Sequence, residues 1–169
     1  MIKSDVISKL NIDFLKGRII DVIPITYDDD TGSIWEQDID FQLESGTIIN
    51  ISDNDVGCKK EDIGQEKRIQ MMTALRMSIE KCQSHTSEIG IFLNPDNPDY
   101  SPIICGMIKK MIEPSEEKYK QFRRYATLDI GIGQILLVLF KDHKEDFSVF
   151  HEGDCVVIKG GGLDLLNVR

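Results

Sequence analysis

The chain has 169 residues, a formal net charge of −9, and 41% hydrophobic against 29% charged side chains, a globular balance far from disordered composition. Its 25 isoleucines against two alanines, Ala74 and Ala126, exclude a helical bundle, because Ile is stiff at χ1 and suits a pleated surface whereas Ala is the strongest helix former. The longest apolar run, residues 135–140, is far short of the roughly 20 residues a membrane span needs, so no membrane is expected.

Residues 4–14 place Val6, Ile7, Leu10 and Phe14 at helical spacing behind Ser4 and Asp5 and read as a short amphipathic helix. From Gly17 the period changes. Residues 17–27 read as a strand in which Pro24 implies an edge or a bulge. Asp28-Asp29-Asp30-Thr31-Gly32-Ser33 is a turn by composition, and residues 34–43 alternate at Ile39, Phe41 and Leu43 with acids on the other face. Glu44-Ser45-Gly46 turns the chain again, and residues 47–51 return as a third strand, completing a meander.

Residues 65–83 carry two periods. Ile69, Met71, Thr73, Leu75, Met77 and Ile79 alternate as a strand, while Ile69, Met72, Leu75, Ile79 and Cys82 form a helical stripe. The length of the segment favours helix, since 19 residues is long for one strand. Residues 94–102, with three prolines, read as a linker between an acidic β-rich unit (1–93) and a second unit (103–169). In that second unit, residues 103–112 read as a strand and 114–124 as a charged excursion, either a hairpin tip or a helical turn begun by Pro114. Strands follow at 125–130 and 134–140, divided by Gly131-Ile132-Gly133, then one helical turn within 143–149, a strand at 153–159 and a last one at 163–168.

This order, carried by Leu128-Asp129-Ile130-Gly131-Ile132-Gly133-Gln134 and the apolar run to Phe140, then by Glu152-Gly153-Asp154-Cys155-Val156-Val157-Ile158-Lys159, resembles the five-stranded OB-fold. Within that superfamily it is most similar to single-strand-binding modules of replication-protein-A type, over about residues 103–169. The first half echoes it: Phe41-Gln42-Leu43-Glu44-Ser45-Gly46-Thr47-Ile48-Ile49 resembles the passage from second to third strand, and Ile63-Gly64-Gln65 the Gly-Asp turn. The expected fold is therefore mainly β: a small OB-like barrel in the C-terminal half, a second meander, itself a degenerate OB-like barrel, in the N-terminal half, and one or two helices.

Single-strand binding requires a cationic groove and aromatic faces on which bases stack. The second unit supplies candidates: Lys109, Lys110, Lys118, Lys120, Phe122, Arg123, Arg124, Tyr125, Phe140 and Lys141. The 118–125 cluster falls where OB-folds place a binding loop, and the resemblance implies that Phe140 stacks on a base. Against this, Tyr119, Phe122 and Tyr125 recur every three residues, as on one buried face of a helix, and Glu113, Glu116 and Glu117 precede them. Residues 19–58 contain no Lys or Arg but ten acids, a surface that repels phosphate.

Other chemistry is weaker. Residues 27–38 resemble part of a calcium loop, but Tyr27 holds the first ligand position and the flanks read as strands. Cys58, Cys82, Cys105 and Cys155 form no Cys-x-x-Cys pair and stand at no ligand spacing to His85, His143 or His151. Cys155 and His151 flank a Gly-Asp turn that points them apart, and Gly160-Gly161-Gly162 lacks the Lys-Ser/Thr of a phosphate loop. No catalytic residue, metal or cofactor is expected. The expected function is a cytoplasmic, non-enzymatic binding protein that takes single-stranded DNA or RNA on its C-terminal barrel. The alternative is a protein-interaction module that uses the barrel as scaffold, meeting a basic partner or a second copy of itself.

Overall fold

The computed structural model describes residues 4–73, 78–82, 88–94, 102–140 and 147–169. A helix, α1 (Ser4–Leu10), precedes a first series of strands: β1 (Leu15–Tyr27), β2 (Ile34–Leu43), β3 (Ile48–Asp53) and β4 (Glu66–Thr73). Two short strands follow, β5 (Ser78–Lys81) and β6 (Gly90–Phe92). The second series is β7 (Ile103–Ile112), the one-turn helix α2 (Glu117–Lys120), β8 (Arg123–Asp129), β9 (Gln134–Phe140) and β10 (Cys155–Lys159). β11 (Leu163–Val168) ends the chain.

The mainly-β class and a five-strand OB-like barrel are as expected, but the ring that closes lies in the first series, with β11 added, rather than within residues 103–169. Inward positions alternate along each strand: Leu15, Ile19 and Val22 in β1, Gln37, Ile39, Phe41 and Leu43 in β2, Ile49 and Ile51 in β3, all buried. Hydrogen-bonded neighbours run β1-β2-β3-β11-β4, and β4 pairs back onto β1, closing the ring. Its one parallel contact joins β3 to β11 at Ser52 and Asp164. That is OB-like order, but the fifth strand comes from the far end of the chain.

The second series mirrors the first. β10-β7-β8-β9 pair in that order, β4 lies parallel beside β9 at Met72 and Leu136, and β5 lies antiparallel beside β10. Each series thus takes its fifth neighbour from the strand that follows the other one. One hydrophobic cluster runs from Leu15 and Phe41 through Ile69 to Leu128, Leu137 and Ile158. The turns into β4 and β10 match in detail. Gly64 N–H donates to Ile19 O (2.8 Å) and Gly153 N–H to Ile108 O (2.7 Å), and both glycines take φ values, 83° and 91°, that strain any other residue.

Residues 66–73 and 78–81 are strand, which corrects the helix expected over 65–83. Met, Gln and Lys favour helix locally, but pairing with β1, β9 and β11 buries Ile69, Met71 and Thr73 in the barrel and overrides that preference. Residues 74–77 and 83 lie outside the described residues, as do 95–101 of the expected linker. Of the helical turn expected within 143–149, residues 147–149 form a 3-10 turn and the remainder lies outside the described residues. Among the described residues no helix is long and apolar enough to cross a membrane.

Candidate functional site

The expected nucleic-acid residues fall into three environments. Around α2 the cations are held by local acids. Arg124 meets Glu113 at 3.1 Å, Lys120 meets Glu117 at 2.7 Å and Lys118 meets Glu116 at 3.3 Å. Contact with the Tyr119 hydroxyl and then Glu116 holds the Lys118 ammonium above its ordinary range, and Glu117 does the same for Lys120. Farther along β7, Lys109 pairs with Asp129 at 3.5 Å and Lys110 Nζ donates to Lys9 O at 2.9 Å. A phosphate would have to displace these partners.

Arg123 differs. Its guanidinium lies 4.8 Å from the centroids of both Tyr119 and Phe140, bridging the two rings. Among the described residues no carboxylate pairs with it. Phe122, beside it in sequence, is 55% exposed. The structure brings Arg123, Tyr119 and Phe140 together, and Arg123 already covers the rings on which bases would stack. Lys141 lies outside the described residues.

Tyr125 is a third case. It is 4% exposed and packs with Leu136, Val138, Leu10 and Ile12. The outer face of β8 and β9 is therefore a second small core, capped by α1 and the residues after it. Gln70 Nε2 fastens the cap by donating to Ile12 O at 2.7 Å. OB-folds bind oligonucleotides across their second and third strands. Here that face is covered. The sequence held a signal for this: Ile135-Leu136-Leu137-Val138-Leu139 does not alternate, and a strand apolar at every position is buried on both faces.

The surface left open lies in the first series. β1 pairs with β4 only over Leu15–Arg18 and with β2 as far as Tyr27. β2 in turn pairs with β3 only from Gln37 onward. On the turn side of Gln37, residues 25–36, the β1–β2 hairpin is thus a two-stranded arm whose edges have no strand neighbour among the described residues. Ile25, Tyr27 and Trp35 on this arm are 55%, 53% and 58% exposed. Asp28, Asp29, Asp30 and Glu36 adjoin them in the chain, without a Lys or Arg anywhere in 19–58.

A buried polar knot fixes the base of the arm. Asp53, 1% exposed, accepts hydrogen bonds from Gln37 Nε2 (2.8 Å), Gly57 N–H (2.9 Å) and Cys58 N–H (2.8 Å). Gln37 also donates to Cys58 O at 2.7 Å. Burial, and after it the Asp53 charge, push the Cys58 thiol up to about 12, so it is packing rather than chemistry. Sequence reading missed Asp53 because nothing in a run of surface-like acids marks the one that turns inward.

At the arm's tip, Asp28 Oδ1 accepts from the N–H groups of Asp30 (2.9 Å) and Thr31 (2.8 Å). The amide of Thr31 is the main cause that lowers its pKa. Its carboxylate serves the turn, not a cation. Among the described residues no three His, Cys, Asp or Glu side chains converge as metal ligands. Cys155 Sγ lies 2.8 Å from Cys82 Sγ, while His151 Nδ1 lies 3.7 Å from Asp154.

No protein-family model matches the chain, and no curated protein matches it. Among solved structures, the chain is similar to the cytoplasmic molybdate-binding protein ModG in its molybdate-bound form, with a TM-score of 0.43 and 13% identity over 93% of each chain.

Proposed function

We propose that this chain is a non-enzymatic binding protein of the cytoplasm, in which the strand-exchanged barrels are scaffold and the acidic β1–β2 arm takes a basic protein segment. One observation carries the proposal: three large apolar side chains, each more than half exposed, stand on an arm without a cation. Trp and Tyr are typical interface anchors, and an acidic rim selects a basic partner and speeds its approach. The open edges of the arm suit a segment that adds as a further strand, since main-chain hydrogen bonding then supplies affinity. A second acidic arm would be repelled, which disfavours pairing of two copies through this surface.

Trp35 is the one tryptophan of the sequence, so its emission reports on the arm alone. Titration with a synthetic peptide of alternating Lys and Val should give a saturable blue shift that weakens as salt rises. Replacing Asp29 and Asp30 with Lys should weaken it further. Unchanged emission, or an equal response to the same peptide with Glu in place of Lys, would remove the proposal.

A second reading keeps single-stranded nucleic acid as the ligand and rests on Arg123 with its two rings beside exposed Phe122. It requires the guanidinium to leave Tyr119 and Phe140 so that bases take its place. Oligonucleotide binding separates the two.

A further inference from the structure

Sheet register places two thiols face to face at the join between the borrowed strand β5 and β10. Val156 pairs with Lys81, so the next antiparallel pair is Cys155 with Cys82, and Cys82 N–H donates to Cys155 O at 2.8 Å. Directly opposed antiparallel residues hold their Cα atoms about 4.5–5.5 Å apart, within the range a disulfide spans. The two sulfurs are 2.8 Å apart, and both side chains are partly exposed. A Lys81–Asp154 ion pair at 2.9 Å braces the same corner.

We propose that Cys82 and Cys155 are a redox modification site that forms a reversible disulfide with small-molecule disulfides as oxidant. One cysteine thiolate attacks the reagent's S–S bond and releases one small thiolate. The other thiolate then attacks the mixed disulfide, closes the Cys82–Cys155 bond and releases the second. The protein loses two electrons and two protons, and the reagent leaves as two thiols. Burial, then the Cys82 contact, raise the Cys155 thiol to about 11. Exchange at neutral pH is therefore slow and quickens as pH rises. The bond locks β5 onto the second series, covalently fixing the exchange that joins the two halves.

Mass mapping of the full chain after exposure to oxidised glutathione and alkylation of free thiols tests this. Cleavage after Glu88 separates Cys82 from Cys105. The expected product is a cross-link between the Cys82 and Cys155 peptides, present in wild type, C58S and C105S, and reversed by dithiothreitol. The oxidised chain should melt about 5–10 °C higher, as a bridge closing a long loop predicts. Two separately glutathionylated or free cysteines at equilibrium, or a cross-link through Cys105, would overturn the proposal. The wild-type map decides the matter even if a variant fails to fold.

Discussion

Gly106 stands in the second series where Gly17 stands in the first, 89 positions earlier, and neither has room for a side chain. A Cβ at Gly17 would lie 2.3 Å from Gln42 O and 2.4 Å from the Phe41 ring. One at Gly106 would lie 2.7 Å from Asp129 O and 2.6 Å from Leu128. Both glycines let the first strand of a series pass close across the second as the sheet curls. A bulge follows each, between Ile19 and Asp21 and between Ile108 and Lys110, and it increases the local bend. Gly17→Ala and Gly106→Ala should each cost about 2–4 kcal/mol, because the obstacle includes backbone. Chemical denaturation checks this, and a loss below about 1 kcal/mol at either site would deny the equivalence.

Asp164 carries a like-charge conflict. Burial first, and Asp38 second, raise its carboxyl above the ordinary value of 3.8. A raised folded pKa means that the folded chain binds the proton more tightly, so stability falls as pH rises from about 4 through that folded value. Asp164→Asn should stabilise the protein at pH 7 by about 0.5 kcal/mol, the scale of like charges on neighbouring strands, with no gain at pH 3. A melting series from pH 3 to pH 7 reads the difference.

Asp154 has the opposite sign. Its carboxyl is lowered chiefly by Lys81, so its contribution is full above the unfolded value near 4 and is lost as pH falls through the lower folded value. Lys81→Ala should therefore remove up to about 1 kcal/mol at pH 7, in line with partly exposed ion pairs, and progressively less as pH falls below about 4. The same melting series, extended down to pH 2, checks it.

Oligonucleotide binding separates the two functional readings. With Lys118, Lys120 and Arg124 held by acids and Tyr125 buried, mixed-sequence DNA and RNA should bind no tighter than about 100 µM in 150 mM salt, the weak end of non-specific association. Fluorescence anisotropy measures it. Tighter, salt-sensitive binding that Arg123→Glu abolishes would favour the second reading.

Much of the fold was legible. Strands at 103–112 and 134–140 were read to the residue, because alternation and flanking turns define them locally. Gly64 and Gly153 stood out because a positive φ leaves a sequence mark. The exchange of strands left none: Leu163–Val168 pairs with β4 rather than closing a barrel with β7–β10, and long-range pairing has no local signature. The candidate site was legible as composition only. Arg123, Tyr119 and Phe140 do meet, but which cations find carboxylates, and that α1 covers Tyr125, are decided by packing. Trp35 went unremarked, and Tyr27 stood out only as a misfit in a calcium-like loop, because an exposed strand end and a buried one look alike in sequence.

The exchange is the relationship on which the rest stands, and isotope-edited NOESY on the intact chain tests it most directly. Cross-strand contacts of Leu165 with Met71 and of Lys159 with Ser78 are predicted, following the observed pairings of β11 with β4 and of β10 with β5. Contacts of β11 with β9 or β10 in their place would mean that the C-terminal series closes on itself, and would contradict the account.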